Sequence, residues 1–373
     1  MGPNLIALAI PAFFAGMLLE LGVAKAKGRQ VYRLGDAMGD MGCGIAQQLT
    51  SLVFATTVIG ASYSWLYEHR LWTIPTTWLP WVVAVLGVEF AYYWWHRLSH
   101  EVNILWAAHV VHHHSEDYNL AVALRQSVTT WATSMPFYLP LALFGVPTFH
   151  FAVILSLSTL YQFWIHTELI PKLGFLERWI NTPSLHRVHH AINPRYLDKN
   201  HAGTFSVFDR LFGTYEPETE PCVYGTTRPL NSFNPLWAQV ETYVDLFRLA
   251  ARAPTVGKAL KVFIASPAWR EDWMGTPEKR DFAVKYQPAV TPGVQRYALA
   301  HWLLLLAGVF SFLMWGRALP TLPFAACIGV ILLSLASLPA LVEGKRWARP
   351  VEAVRLVSVV GLAALLLAPV TSS

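Results

Sequence analysis

Long apolar runs separated by short polar segments dominate the hydropathy pattern of the chain. A transmembrane helix needs about 20 apolar residues to cross roughly 30 Å of hydrocarbon. Stretches of that kind occur at residues 5–23, 44–66, 74–95, 298–315, 322–341 and 351–370. A further apolar region, residues 131–165, is broken by Gly145-Val146-Pro147 and predicts a helical hairpin. The pattern therefore predicts an all-α, multi-pass transmembrane helical bundle of about eight spans, counting the hairpin.

The composition agrees with a membrane protein and excludes other classes. Of the 373 residues, 54% are hydrophobic and only 14% are charged, against about a quarter charged in soluble domains. The net charge of +5 comes without a long basic run, because Lys and Arg stand mostly beside apolar spans, so no nucleic-acid partner is expected. The three cysteines lie far apart, so neither a disulfide framework nor a thiolate metal site is predicted.

The distribution of basic residues predicts the orientation in the membrane. Residues 25–33 and 345–349 are rich in Lys and Arg, whereas the loops holding Arg70 and Arg317 carry one basic residue each. Loops rich in Lys and Arg stay on the cytoplasmic side of a membrane. Alternate threading of the spans then makes the histidine-rich segments face the cytosol, at a bacterial inner membrane or the endoplasmic reticulum.

The pattern also divides the chain into four regions. These are N-terminal transmembrane helices (1–95), a histidine-rich catalytic region that includes the hairpin (96–215), a cytosolic or interfacial segment (216–294) and C-terminal transmembrane helices (295–373). In the third region, residues 237–251 and 256–264 each place apolar side chains on one helical face and charged ones on the other. Two interpretations of these amphipathic helices stay open: they lie on lipid headgroups, or they pack on the protein's own cytosolic cap.

The histidines carry the strongest chemical signal in the sequence. Eleven of the 14 fall within residues 96–190, most of them at helical spacings. The pairs His96/His100 and Gln162/His166 are spaced i, i+4 and are each followed by an HxxHH triplet, and side chains at these spacings share one helix face. We therefore predict one possible ligand, Gln162, and nine metal ligands: His96, His100, His109, His112, His113, His166, His186, His189 and His190.

Nine imidazoles exceed the four ligands of a tetrahedral zinc site and suit two metals with about five nitrogen ligands each. The sequence therefore predicts a cytosolic, histidine-rich di-metal cap, although imidazole ligation alone leaves iron, zinc, copper and nickel open. Three isolated histidines, His69, His150 and His301, are interpreted as core or interfacial residues. His114 is expected to neighbour the centre without binding a metal, and the position of His201 stays undecided.

Polar residues near the histidines are candidates for supporting roles. Nine neutral ligands leave two divalent ions with about +4 of uncompensated charge, so carboxylates are expected to accept the second imidazole N–H of the ligands. The candidates, which are otherwise solvated loop charges, are Glu101, Glu116, Asp117, Glu168 and Asp198. The run Arg125, Gln126 and Ser127 either binds a glycerol or phosphate headgroup or caps and anchors the hairpin.

Three segments resemble the eight-histidine signature of the fatty acid hydroxylase/sterol desaturase superfamily: His96-Arg-Leu-Ser-His100, His109-Val-Val-His112-His113 and Asn181-Thr-Pro-Ser-Leu-His186-Arg-Val-His189-His190. Within that superfamily, three further segments look most like the alkylglycerol monooxygenases and their bacterial relatives: Ser115-Glu-Asp-Tyr-Asn-Leu, Ala123-Leu-Arg-Gln-Ser127 and residues 198–214. The closer similarity covers residues 92–215. Gln162 departs from the fatty acid hydroxylases, which have histidine there, and His114 and His201 are imidazoles that the motif does not require.

The resemblance implies a centre of two iron ions that activates O₂ and inserts oxygen into an unactivated C–H bond of a membrane lipid. In the alkylglycerol subgroup the attacked carbon is bonded to the ether oxygen, so the hydroxylated product collapses to a fatty aldehyde and a glycerol derivative. Reduced tetrahydrobiopterin supplies the electrons in that subgroup. The resemblance therefore implies an external reductant or pterin-recycling system as a partner.

Other functions stay open on the sequence alone. A sterol, fatty-acyl or amino-lipid hydroxylase or desaturase of the same superfamily would use a different electron donor. A non-catalytic metal- or lipid-binding membrane protein would hold metal without consuming O₂. A zinc hydrolase agrees less well with the sequence, because it needs an open three-ligand site and a general base.

Overall fold

The computed structural model describes residues 5–75, 77–275, 282 and 284–367. The helices before the second histidine triplet are α1 (Leu5–Ala26), α2 (Leu34–Thr50), α3 (Gly60–Glu68), α4 (Leu79–Glu101), α5 (Asn103–His113), α6 (Thr130–Leu143) and α7 (Thr148–Trp164). Those that follow are α8 (Pro183–His190), α9 (Val207–Leu211), α10 (Pro235–Ala238), α11 (Glu241–Ala251), α12 (Val256–Ile264), α13 (Pro292–Trp315), α14 (Thr321–Val342) and α15 (Ala348–Leu367). Within the described ranges, β pairing is limited to one isolated bridge, Ala191 to Tyr224, so the all-helical prediction is confirmed.

Helices α3, α4, α6 and α7 share one apolar core. A π-helical segment, Ser51–Ile59, joins α2 to α3, so α2 and α3 form one continuous helical stretch without a loop. The chain reverses between α6 and α7 at residues 144–147, where the sequence predicts the hairpin to turn. Gly145 has a φ of +88° there, and a Cβ at this position would lie 2.3 Å from the carbonyl oxygen of Trp72. This turn therefore needs glycine, because a side chain would meet both strain and a clash.

Helices α13, α14 and α15 form a second unit, and α13 and α14 also pack against α2. A buried ionic cluster joins the three helices. Glu352 accepts hydrogen bonds from Ser337 Oγ (2.7 Å) and Arg355 Nε (2.7 Å), and a second nitrogen of Arg355 lies 3.0 Å from His301 Nδ1. Charged groups within apolar helices persist when they pair in this way. His301 thus belongs to this cluster, consistent with its interpretation as a core or interfacial residue.

Four helical stretches among the described residues are long and apolar enough to cross a membrane: Leu8–Ala26, Pro292–Ala318, Thr321–Val342 and Ala348–Leu367. These stretches support an integral membrane protein. The predicted span 351–370 coincides with the last of them, although its residues 368–370 lie outside the described range. The predicted spans 5–23, 298–315 and 322–341 overlap the other three stretches. The remaining predicted spans correspond to the continuous helix of α2 and α3, to α4, and to the shorter arms α6 and α7.

The segment 256–264 folds as α12, in agreement with its sequence pattern, whereas 237–251 divides between the end of the short helix α10 and α11. One apolar face of the pair α11 and α12 packs on α5, where Ala107, Leu246 and Val262 form a buried cluster. Other apolar side chains point away from this cluster, and Phe247 is 62% and Leu260 63% exposed. The structure therefore supports packing on the protein's own cap for one face and leaves a second apolar face open.

Candidate metal centre

Four helical segments deliver the nine predicted ligand histidines to one region. His166 follows the end of α7 by two residues, and the remaining eight lie on α4, α5 and α8. Helix α8 begins at Pro183, because the Thr182 side chain accepts a hydrogen bond from the Leu185 N–H and Pro183 occupies the first helical position. All nine imidazoles are buried.

The nine histidines divide into two groups of potential metal ligands. The five-histidine group consists of His96, His100, His109, His113 and His189. The four-histidine group consists of His112, His166, His186 and His190. Within each group the candidate ligand nitrogens all lie within 4.8 Å of one another. The structure thus brings all nine predicted residues together in two sets of metal-site dimensions.

The rings of the five-histidine group form a square pyramid. Around the base, the centroid distances are 4.6 Å (His96–His109), 4.9 Å (His109–His113), 4.8 Å (His113–His189) and 4.4 Å (His189–His96), and the diagonal His109–His189 measures 6.3 Å. His100 lies 4.8–5.5 Å from all four and forms the apex. Octahedral imidazole ligation gives centroid distances of about 4.5 Å for neighbouring and about 6.4 Å for opposite rings. This group therefore matches five of six octahedral positions.

The four-histidine group has a more open arrangement. His112 and His186 lie opposite each other, with 6.4 Å between centroids. His166 and His190 are neighbours at 5.1 Å, and each lies 4.4–5.1 Å from both members of the opposite pair. On the same octahedral scale, these rings leave two adjacent positions without a histidine. The two groups therefore differ in how many further ligands each accommodates.

Hydrogen bonds to main-chain carbonyls fix the orientation of four rings. The Nδ1 atoms of His96, His112, His166 and His189 lie 2.7, 3.0, 2.7 and 2.9 Å from the carbonyl oxygens of His201, Arg125, Gln162 and Lys199, respectively. A carbonyl only accepts, so each Nδ1 carries the proton and each Nε2 presents a lone pair. Burial also lowers the pKa of His112 to about 4 and that of His189 to about 3, so both rings are neutral at pH 7.

This arrangement leaves lone pairs facing each other. The Nε2 atoms of His112 and His166 are 3.2 Å apart, yet neither has a proton to share, because both rings donate through Nδ1. Two nitrogens bound at right angles, each about 2.1 Å from one metal, lie about 3.0 Å apart. Similar Nε2 separations join His96 to His109 (2.9 Å) and His166 to His186 (3.0 Å). The residues therefore fit a bound cation, which turns lone-pair repulsion into ligation.

Among the predicted carboxylates, Asp198 lies beside the centre, with Oδ1 3.8 Å from His100 Nδ1. The others bind basic or main-chain groups: Glu101 pairs with Arg97, Asp117 with Arg33 and Lys285, Glu168 with Arg29, and Glu116 accepts from the Tyr286 N–H. The oriented rings named above use carbonyls where the sequence suggested carboxylates. The C-terminal ends of helices and turns carry carbonyls that have no intrahelical partner. These carbonyls are available to accept from a neighbouring N–H.

The structure also defines the positions of three polar residues whose roles the sequence leaves open: Gln162, His114 and His201. The Gln162 side chain accepts a hydrogen bond from Tyr92 Oη (2.7 Å) and donates to the Ser158 carbonyl (3.2 Å), so Gln162 contacts His166 through its main-chain carbonyl. His114 is buried but belongs to neither histidine group as the described residues define them. The His201 ring is fully buried, 5.1 Å from the His100 ring, so its loop folds back toward the centre.

Arg125 is buried next to His112 of the four-histidine group, with 2% of its surface exposed. Its Nε donates to the Val111 carbonyl (2.6 Å), one terminal nitrogen pairs with Asp40 (3.1 Å), and its carbonyl accepts from His112. Ser127 Oγ contacts Thr129 Oγ1 at the start of α6. These contacts favour the anchoring interpretation of this run over headgroup binding. Sequence reasoning offered no signal for Asp40, which lies 85 residues before its partner.

Comparisons with known proteins agree with this site. The fatty acid hydroxylase family model matches residues 81–214, which contain all nine histidines of the two groups. Alkylglycerol monooxygenases from Xenopus tropicalis and Homo sapiens are each 39% identical over 95% of this chain, which covers 80% and 81% of their lengths. An ornithine lipid hydroxylase from Rhizobium tropici is 28% identical over 42% of this chain and 47% of its own. No solved structure matches the chain.

An integral membrane hydroxylase is the class that these helices and the histidine pattern define. The chain belongs to the alkylglycerol monooxygenase family. It is therefore an oxygen-dependent oxidoreductase that acts as a monooxygenase on a lipid chain. The prediction of the superfamily from the three histidine motifs is confirmed.

Proposed function

We propose that this chain cleaves the ether bond of alkylglycerol lipids with O₂, two iron ions and reduced tetrahydrobiopterin. The observations that carry the metal part are the facing Nε2 lone pairs of His112 and His166 and the gathering of nine buried histidines into two groups. The substrate and the pterin are supported by the family, whose named members are alkylglycerol monooxygenases.

One reduced pterin supplies the two electrons that the overall reaction requires. The ether R–CH₂–O–R′ takes one oxygen atom of O₂ at the carbon beside the ether oxygen, and the second oxygen atom leaves as water after two electrons and two protons arrive from the reductant. The resulting hemiacetal then expels R′–OH and leaves the aldehyde R–CHO. Iron bound by the two histidine groups would supply O₂ activation, which no amino-acid side chain provides.

The residues of the chain perform the binding and positioning. The carbonyls behind His96, His112, His166 and His189 hold these rings in one tautomer, so that metal binding needs no proton to leave them at neutral pH. A fixed ligand set lowers the reorganisation required when iron changes oxidation state. The buried surroundings also exclude bulk water from the reacting carbon.

The lipid chain is expected to approach from the side of α4, α6 and α7. The Trp95 ring lies 5.5 Å from the His109 ring, and the Tyr92 ring lies 5.2 Å from the His96 ring, so aromatic surfaces of α4 border the five-histidine group. An alkyl chain leaving the bilayer between these helices would meet apolar rings before it reaches the metals. Replacing Trp95 with alanine is expected to change the preferred alkyl-chain length.

The test is release of fatty aldehyde from an alkylglycerol by iron-loaded protein under O₂, with and without reduced tetrahydrobiopterin. We expect pterin-dependent aldehyde from the wild type and none from His112→Ala, which removes a ligand of the four-histidine group. Aldehyde release that is independent of pterin would refute the donor. A protein that carries two irons but hydroxylates only an ornithine lipid would refute the ether-lipid substrate.

We also propose that the chain crosses the membrane about eight times, counting the hairpin, with the centre on the cytosolic side. The supporting observations are the four long apolar helices and the basic segments at 25–33 and 345–349. Reporters inserted beside Arg70 and beside Lys345 are expected to label from outside and from the cytosol, respectively. The opposite labelling pattern would invert the topology.

A further inference from the structure

One short loop contacts three members of the five-histidine group. We define the 198–202 loop as the residues from Asp198 to Ala202. Its Lys199 carbonyl accepts from His189 Nδ1 (2.9 Å), and its His201 carbonyl accepts from His96 Nδ1 (2.7 Å). The carboxylate of Asp198 lies 3.8 Å from Nδ1 of His100, the apical ring. The conformation of this loop therefore determines where the imidazoles of one group point.

The loop holds an uncommon backbone conformation. Asp198 and Asn200 have φ values of +57° and +54°, in the left-handed region that residues other than glycine seldom adopt. The Asn200 side chain donates to the carbonyls of Leu185 (3.0 Å) and Glu216 (2.8 Å) and accepts from the Glu216 N–H (2.9 Å). Asparagine tolerates this region well, and these three bonds tie the loop to the start of α8 and to the segment after α9.

A buried carboxylate fixes the other end of the loop. Asp209, on α9 and 2% exposed, accepts from the His201 N–H at Oδ1 (2.7 Å) and from the Ala202 N–H at Oδ2 (3.0 Å). Thr214 Oγ1 donates to the same Oδ1 (2.8 Å). The two N–H groups flank the very carbonyl that His96 uses. Displacing this carboxylate would therefore release the His201 carbonyl from its position.

We propose that Asp209 is a positioning residue for one metal site: through the 198–202 loop it orients the His96 and His189 rings of the five-histidine group. The proposal rests on the proposed function in that the group binds iron. The four-histidine group is oriented differently, because His112 and His166 donate to the Arg125 and Gln162 carbonyls. Asp209 consequently affects the iron of the five-histidine group and leaves the iron of the four-histidine group unchanged.

The test uses the full-length protein loaded with isotopically enriched ferrous iron. Asp209→Asn keeps the shape of the side chain but replaces one acceptor oxygen with an NH₂ group that faces an N–H. We expect the Mössbauer signal of one iron to change and that iron to dissociate to a chelator about 10- to 100-fold faster, as outer-shell substitutions weaken metal binding. The signal of the second iron should stay as in the wild type.

Two further variants keep the result interpretable. Glu89→Gln is the matched control, because Glu89 is also buried and accepts from the N–H (2.7 Å) and the hydroxyl (2.7 Å) of Thr204, just past the loop. It is expected to leave both iron signals unchanged. Should Asp209→Asn fail to fold, Thr214→Val removes one hydrogen bond to Asp209 and is expected to shift the same iron signal to a smaller extent.

The outcomes separate this inference from the proposed function. Unchanged signals for both irons in Asp209→Asn and Thr214→Val, or equal changes at both irons, would overturn the positioning role. Equal disturbance by Glu89→Gln would also overturn it, because any buried carboxylate near the loop would then act alike. A wild-type protein that binds no iron would instead refute the proposed function.

Discussion

Arg125, whose carbonyl accepts from His112, forms a buried ion pair with Asp40. Arg125 and Asp40 are 2% and 0% exposed, and their charged atoms are 3.1 Å apart. Replacing Arg125 with methionine keeps most of the side-chain volume but leaves the Asp40 carboxylate buried without its guanidinium. Removing one member of a buried ion pair costs about 3–5 kcal/mol. We expect Arg125→Met to lower the free energy of unfolding by that amount.

A double-mutant cycle isolates the interaction. Asp40→Asn keeps an amide oxygen that can accept from Arg125, which also keeps its bond to the Val111 carbonyl, so we expect a smaller loss, of about 1–3 kcal/mol. Because the double variant contains no unpaired charge, its total loss should fall below the sum of the single losses by about 2 kcal/mol. Reversible unfolding in mixed micelles measures the free energies, and bound iron is measured on the same samples.

The same variant tests two roles of Arg125. Its carbonyl accepts from His112, so displacement of the main chain should weaken iron binding by the four-histidine group. If Arg125 instead binds a lipid headgroup, Arg125→Met would raise KM while iron content and stability remain at wild-type levels. A raised KM with unchanged iron content and stability, together with additive single losses, would refute the structural role that we assign to Arg125 from its burial.

His189→Ala removes a ligand of the five-histidine group and is expected to leave about one iron per chain, counted by elemental analysis; retention of two irons with full activity would contradict the assignment. Gly44→Ala puts a Cβ 2.5 Å from the carbonyl oxygen of Leu124 and should cost about 1–3 kcal/mol of unfolding free energy, whereas Gly22→Ala, which meets nothing within 4 Å, should cost none. A fluorophore on Leu260→Cys is expected to be quenched by brominated lipid, because the open face of α12 is apolar; quenching only by aqueous iodide would place that face in water.

The gathering of the nine histidines could be predicted from the sequence, because helical spacing is a local property. Residues spaced i, i+4 differ by about 40° around a helix, so His109/His113 and His186/His190 each fall within one group. The residue at i+3 lies at about −60°, so His112 and His189 project toward the other group. Each HxxHH triplet thus contributes histidines to both groups. This division follows from the helix angle, although spacing alone does not identify which group each turn faces.

The supporting residues were less predictable because they act over long separations. Asp40 lies 85 positions before Arg125, and no local pattern relates the two residues. The sequence predicts that carboxylates near the histidines orient the rings, yet Glu101 pairs with Arg97 one helical turn before it. An ion pair between neighbouring turns of a helix forms locally and removes such a carboxylate from competition. Only tertiary packing reveals which acceptor remains beside each ring.

Orientation by main-chain carbonyls changes the expected effect of substitutions. Lys199 contributes its carbonyl oxygen to His189, so Lys199→Ala retains the hydrogen-bond acceptor and is expected to leave iron content and spectrum unchanged. Asp209 makes no hydrogen bond to a ligand ring in the contacts described above, yet its loss should disturb the group, because it holds the backbone that presents the His201 carbonyl. We therefore expect that proximity to the histidine groups does not determine how strongly a substitution disturbs them. A spectrum altered by Lys199→Ala as strongly as by Asp209→Asn would show that side chains, and not the backbone, orient the rings.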